Sequence, residues 1–211
     1  MDQDSRPSTT ADAKQRPRPR PGSHSAAREQ AILAATAELV VEVGYERVTV
    51  DAIAARARAS KSTMYRKWPG KAELVADALR QHAEGRASEL PDTGSVRGDL
   101  LLTVRNIAQT LAGGDAGPSL LSLVEAIRAD PALREVVRAQ IDERSAHDGA
   151  LICTRAISRG ERVNVDRGPA VVDLALAHLF LHALLNGEPP SDHEQRSFVD
   201  RTLLPLLDAG I

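Results

Sequence analysis

Thr49-Val50-Asp51-Ala52-Ile53-Ala54-Ala55-Arg56-Ala57-Arg58-Ala59-Ser60-Lys61-Ser62-Thr63-Met64-Tyr65-Arg66-Lys67-Trp68 reads as two short helices joined by a tight turn. Thr49 is placed to cap the first, and Asp51 sits in its first turn, where negative charge suits the helix dipole. Ser60 is placed to cap the second. Val50, Ile53, Ala54 and Ala57 recur at steps of three and four, so they share one face. Ser60, Met64 and Trp68 line one side of the second helix. Lys61, Ser62, Tyr65 and Arg66 fall on another side, flanked by Thr63 and Lys67. That second set offers cations for phosphates, hydroxyls for phosphates or base edges, and a tyrosine with both ring and hydroxyl. Two helices that bury one face and present such a surface make a helix-turn-helix whose second helix fits the major groove.

Composition agrees with this. The chain has 211 residues, is 42% hydrophobic and only 2% aromatic, so its core is built from Leu, Val, Ile and Ala. A single cysteine, Cys153, excludes an internal disulfide framework and reads as a small buried hydrophobe in a reducing compartment. No apolar run is expected to approach the roughly 20 residues that span a bilayer, and no signal peptide is recognisable, so a cytoplasmic protein with no membrane partner is expected. The net charge of -2 conceals an asymmetry. Residues 1–71 hold 13 basic and 8 acidic residues, whereas the remainder holds 14 arginines, no lysine and 21 acidic residues. A basic end on an acidic body suits a protein that meets a polyanion at one end.

Residues 28–74 resemble the N-terminal domain of the TetR family of bacterial transcriptional regulators. The likeness is carried by Ile32-Leu33-Ala34-Ala35, Gly44-Tyr45, Thr49-Val50-Asp51-Ala52-Ile53-Ala54, Ser60-Lys61-Ser62-Thr63-Met64-Tyr65 and Trp68-Pro69-Gly70-Lys71. The resemblance implies DNA contacts from Thr49, Arg58, Ser60, Lys61, Ser62, Thr63, Tyr65, Arg66, Lys67 and Lys71, the last at a phosphate beside a helix N-terminus. It also marks a departure, because Arg58 stands where the family usually has glycine. If that position keeps positive φ, arginine costs about 1 kcal/mol relative to glycine.

The fold expected is all-α, about nine helices in total: a three-helix N-terminal domain and a C-terminal helical bundle. Residues 1–24, rich in proline with Arg16, Arg18 and Arg20 between prolines, read as a disordered basic arm. Residues 25–71 form the helix-turn-helix domain, with a first helix over 25–43 that Gly44 ends in a left-handed conformation. Residues 72–211 form a ligand-binding and dimerisation domain. Its helix four follows Pro69-Gly70 and serves as the lever between head and body. Leu100, Val104, Ile107, Ala108 and Leu111 mark helix five, Val124 and Ile127 helix six. Asp130-Pro131 opens helix seven. Helix eight, 169–186, is apolar on nearly every side, so a second subunit is needed to cover it. Helix nine, 191–208, is bent by Pro205. The resemblance implies that these last two helices pair with their twins, through Leu174, Leu181, Leu185, Phe198, Leu203 and Leu206.

The resemblance further implies an effector pocket among helices five to eight, for which Asn106, Thr110, Glu125, Arg144, Cys153, His178 and His182 are polar candidates. His178 and His182 have the i, i+4 spacing of half a zinc site, but no Cys or Glu completes a local motif. The competing class is an all-helical metal-dependent enzyme or sensor built on that pair. No nucleophile triad, phosphate loop or carboxylate pair stands out, so no catalytic residue, metal or cofactor is expected. The reading is a homodimeric repressor that grips a palindromic double-stranded operator and is released by a small-molecule effector, the alternatives being an activator or a regulator without a ligand.

Overall fold

The computed structural model describes residues 21–84, 92–112 and 120–208. Most of the expected N-terminal arm, residues 1–20, therefore lies outside the described residues. Those described form helices, helical turns and loops, with no strand among them: α1 (Pro21–Val43), α2 (Val50–Arg56), α3 (Lys61–Tyr65), α4 (Lys71–Glu84), α5 (Val96–Leu111), α6 (Leu120–Ala129), α7 (Pro131–Ser158), α8 (Gly168–Asn186), α9 (Asp192–Phe198) and α10 (Leu204–Leu207). Short 3₁₀ turns cover Tyr45–Arg47 and Val165–Arg167, and a π turn covers Val199–Leu203.

Within the described residues the first helix runs from Pro21, four residues before the expected 25. Ile32, Leu33, Ala35, Leu39 and Val40 turn inward, and the buried Thr36 hydroxyl is satisfied by donating to the Ile32 carbonyl at 2.8 Å. Gly44 then takes φ +77° with ψ 155°. This is positive φ, as expected, but with an extended ψ rather than a left-handed helical one, a region open to glycine at little cost.

Two apolar cores result. One gathers α1, the 3₁₀ turn, α2, Met64 of α3, Trp68 and α4, and draws in Ala126 of α6 and Leu133 of α7. The core of the head therefore runs through α4 into the body. The second joins α5, the C-terminal half of α7, α8 and the α9–α10 segment. Its tightest point is a meeting of glycines: a Cβ on Gly149 would lie 2.4 Å from the carbonyl carbon of Gly168. Backbone cannot yield there as a flexible side chain could, so α7 and the start of α8 approach this closely only because both positions lack side chains.

Polar contacts fasten the two ends of the second core. Asp99, 1% exposed, accepts from the Thr93 amide at 2.9 Å and hydroxyl at 2.7 Å, and from Arg159 at 2.9 Å. Arg159 also reaches Asp92 and Glu161, while Glu161 accepts the Val96 amide at 3.0 and 3.1 Å. The start of α5 is thus tied to the end of α7.

Helix eight departs from a helix covered on all sides. Val171, Val172, Ala175, Leu179 and Ala183 are buried, but Leu174, Leu181 and Leu185 stand 37%, 55% and 73% exposed. Steps of seven and four place those three on one stripe about 16 Å long. The apolar run is also longer than the sequence reading allowed. Val165–Asn186 is a 22-residue helical stretch containing an 18-residue window of mean hydropathy 1.6, sufficient by length and composition to cross a membrane. Here one face of the run is the wall of the second core, the usual reason a helix of a packed bundle passes that test.

The expected ninth helix is divided. Pro205 has no N–H for the carbonyl four residues back, and the helix widens into the π turn just before it. The extra residue in that turn shifts which side faces in. Val199, Leu203 and Leu207 are at most 1% exposed, so Leu203 belongs to the protomer's own core and not to a surface available to a partner. Phe198 and Leu206 remain half-buried.

Candidate nucleic-acid interface

The caps form as the sequence indicated. The Thr49 hydroxyl accepts the Ala52 amide at 3.1 Å and starts α2, and the Ser60 hydroxyl accepts the Thr63 amide at 3.2 Å and starts α3. Ser60 Oγ also lies 3.0 Å from Ser62 Oγ and 2.8 Å from Thr63 Oγ1. Met64 is 1% exposed and Trp68 4%, so the inner edge of α3 is sunk in the first core. The opposite edge is open: Lys61, Ser62, Tyr65, Arg66 and Lys67 are exposed, Tyr65 by 52%, and Thr63 is half-buried.

Between the helices, Arg58 adopts φ +50°. It is the one non-glycine residue at positive φ among those described. The turn keeps the shape that glycine would favour, and the arginine bears the strain. The Ala59 amide reaches back to the Ala54 carbonyl at 3.0 Å, which holds the turn closed. Replacing Arg58 by Gly relieves a left-handed penalty of about 1–2 kcal/mol and concedes about 0.5–1 kcal/mol of unfolded-chain entropy. Arg58→Gly is therefore expected to raise stability by about 0.5–1 kcal/mol in urea unfolding. A lower midpoint would show that the side chain contributes more to the fold than its backbone costs.

Several of the surface cations have protein partners. Lys61 pairs with Asp51, Lys67 with Glu29, and Arg56 with Glu42 and, at 3.9 Å, with Glu38. The Arg56 pair pulls the Glu42 carboxyl below its ordinary value through the side-chain hydrogen bond. Exposed pairs of this kind are weak and screened by salt, so a phosphate can displace the carboxylate at small cost. Arg58 and Arg66 are exposed and form no ion pair among the described residues.

Lys71 is more engaged than expected. Its ammonium lies 4.1 Å from the centre of the Tyr45 ring and donates to the Tyr45 carbonyl at 3.2 Å. The buried Tyr45 donates its hydroxyl to Asp130, the residue that caps α7 by accepting the Ala132 and Leu133 amides. Burial, then the Asp130 carboxylate, pushes the Tyr45 phenol well above its ordinary value, and the same hydrogen bond holds Asp130 below the usual carboxylate range. Trp68 donates from Nε1 to Asp77 at 2.9 Å, and Gln140 donates to the other Asp77 oxygen at 3.2 Å. No local pattern marks these links, most of which join residues far apart in the chain. The one available signal was that a buried tyrosine or tryptophan seeks a partner for its polar atom.

The expected effector residues do not converge. Asn106 and Cys153 are sealed in the interior, and burial raises the Cys153 thiol pKa. Thr110 donates to the Asn106 carbonyl, Glu125 is exposed on α6, and Arg144 pairs with Asp148 at 2.6 Å. His178 stacks on Phe198 with ring centres 4.0 Å apart, and its pKa is lowered by burial and by His182. His182 Nδ1 lies 3.1 Å from the Glu188 carbonyl. The two imidazoles thus meet a ring and a backbone oxygen, and no group of three or more metal-ligating side chains occurs among the described residues. Open grooves lie elsewhere, one beside Glu161–Val163 and Leu204–Asp208, and one of about 500 Å³ between α5 and the start of α9. None of the seven candidates lines either.

Comparison with known proteins places this geometry. Residues 32–78 match the family model described as bacterial regulatory proteins, tetR family, and residues 90–202 match the one described as tetracyclin repressor-like, C-terminal domain. The uncharacterized HTH-type transcriptional regulator Rv1556 of Mycobacterium tuberculosis is 35% identical over 191 residues, 90% of this chain and 93% of that protein. The DNA-binding transcriptional repressor TetR of Mycobacteroides abscessus is 36% identical, over 87% of this chain and 95% of its own. The crystal structure of the TetR family transcription regulator SCO0332 superposes with a TM-score of 0.61 at 26% identity, covering 83% of this chain and 96% of that one. With an all-helical fold, a capped helix-turn-helix and both halves matched, the chain belongs to the TetR family of bacterial helix-turn-helix transcriptional regulators.

Proposed function

We propose that the chain is a homodimeric repressor that binds a palindromic double-stranded operator through α3 and is released by a small-molecule effector. The observation that carries the DNA reading is the split character of α3 and the turn after it, with Met64 and Trp68 buried and Lys61, Ser62, Tyr65 and Arg66 open to solvent on the other edge. Tyr65, Arg66, Lys67, Arg58 and Lys71 are assigned to the phosphates, Ser62 and Thr63 to base edges, and Thr49 and Ser60 to capping beside them. One such helix touches only a few base pairs, so specificity requires two, on half-sites set by the two-fold axis. Effector release is supported by the match of residues 90–202 to a tetracyclin repressor-like C-terminal domain. A cytoplasmic location follows from action on chromosomal DNA.

The test is a gel shift on duplexes that the chain enriches from a random pool. Tyr65→Ala with Arg66→Ala is expected to weaken every duplex alike, by about 10- to 100-fold, and to flatten the salt dependence. Ser62→Ala with Thr63→Ala is expected to change which duplexes are preferred. Unchanged affinity in the first variant would contradict the assignment of α3.

A further inference from the structure

Asp130 caps α7 and Gln140 lies on it, both in the body, yet each closes a chain of hydrogen bonds that begins in the head. In the first chain the Lys71 ammonium caps the ring and carbonyl of Tyr45, and the Tyr45 hydroxyl donates to Asp130. In the second, Trp68, whose amide donates to the Met64 carbonyl at 2.9 Å, donates from its indole to Asp77, which also accepts from Gln140. Tyr45 and Trp68 are each 4% exposed, so both chains start from side chains fixed in the first core.

The two attachment points are ten residues apart on one helix, about 15 Å along its axis. A single attachment leaves the head free to swivel, whereas two fix its orientation as well as its place. Apolar contacts from Leu133, Val136 and Val137 hold the same surfaces together but do not prescribe an angle, because burial of apolar area is non-directional. Hydrogen bonds do prescribe one. Further along, α7 meets α8 at Gly149 and Gly168 with backbone against backbone. One continuous helix, Pro131–Ser158, thus touches the head twice at one end and the leucine-bearing α8 at the other.

We propose that Asp130 and Gln140 are positioning residues for DNA binding: acting through Tyr45 and Trp68, they set the angle of α3 relative to α8 and hence the spacing of the two α3 helices in the dimer. This rests on the reading of the chain as a dimeric operator binder. A fixed head meets both half-sites of a correctly spaced repeat without further ordering, and a loosened head must be ordered on binding. The consequence falls on spacing, not on the contacts that α3 makes with one half-site.

The test compares the full-length wild type with Asp130→Ser/Gln140→Met, which keeps a capping hydroxyl for α7 on a side chain too short to reach Tyr45 and replaces Gln140 by an apolar side chain of similar length. The probes are the inverted repeat that the wild type enriches from a random pool, that repeat with one base pair added between half-sites, and a single half-site. The double variant is expected to bind the repeat about tenfold more weakly. It is expected to bind the half-site within about twofold of wild type, and to discriminate less between the correct and the lengthened repeat. Tyr45→Phe, which removes only the hydroxyl, is expected to reproduce the Asp130→Ser part and to add nothing to it when combined. Unchanged affinity for the repeat, or an equal fall on repeat and half-site, would overturn the proposal. A wild type that enriches no duplex would instead remove the operator reading on which it rests.

Discussion

A chain carrying Leu181→Glu and Leu185→Glu is expected to sediment as a monomer and to lose binding to a palindromic duplex. These two side chains are 55% and 73% exposed in the protomer, on the stripe that begins at Leu174. Burying a leucine against a partner stabilises by about 1.5–3 kcal/mol, and a two-fold interface counts each residue twice. Removing four leucines and placing four carboxylates at the seam is therefore expected to raise the dimer dissociation constant at least about a thousandfold. Folding should survive, since neither residue contributes to the second core. Sedimentation velocity with circular dichroism separates the outcomes. A variant that stays dimeric would place the interface elsewhere than on this face of α8.

Asp99→Ala is expected to cost about 3 kcal/mol of stability at neutral pH. The substitution removes a carboxylate that is 1% exposed and leaves the Thr93 amide and one arm of Arg159 without their acceptor, while the Thr93 hydroxyl falls back on the Ser95 carbonyl at 3.1 Å. Burial alone would raise the Asp99 pKa, but the two Thr93 hydrogen bonds and Arg159 outweigh it and hold the carboxyl below its ordinary value. A carboxylate lowered in the folded state stabilises above the unfolded value near about 4 and loses that contribution as pH falls through its folded value. The gap between wild type and Asp99→Ala should therefore be full at pH 7 and should narrow below about pH 4. Urea unfolding at both pH values measures it. A cost under about 1 kcal/mol at pH 7 would mean that Arg159 and Thr93 find equivalent partners without Asp99.

What the sequence made legible is what short-range physics decides. Thr49 and Ser60 cap their helices because a hydroxyl three residues before an orphan amide needs no help from the rest of the chain. Met64 and Trp68 face inward because helical spacing alone sorts them from Tyr65 and Arg66. The longer-range arrangements were hidden. Tyr45 and Asp130 are 85 positions apart, and nothing near either residue announces the other. Lys71 looks like a free surface cation until the ring of Tyr45 is placed beneath it. The resemblance implies an interface role for Leu203 on a regular helix, whereas the π turn before Pro205 carries it inward. Asn106 and Cys153 looked like pocket residues because a polar side chain on an apolar helix can face a cavity or the core. Only packing distinguishes these, as it does where Cys153 meets Gly168.

The most direct measurement is selection by the purified full-length chain from a random-sequence duplex pool at low ionic strength, followed by sequencing and by the stoichiometry of the complex. A dimer that reads DNA through paired α3 helices should enrich an inverted repeat, its half-site centres separated by about one helical turn or a multiple of it, with an even number of protomers bound. Enrichment of no sequence, or of an unrepeated site held by a single protomer, would contradict it.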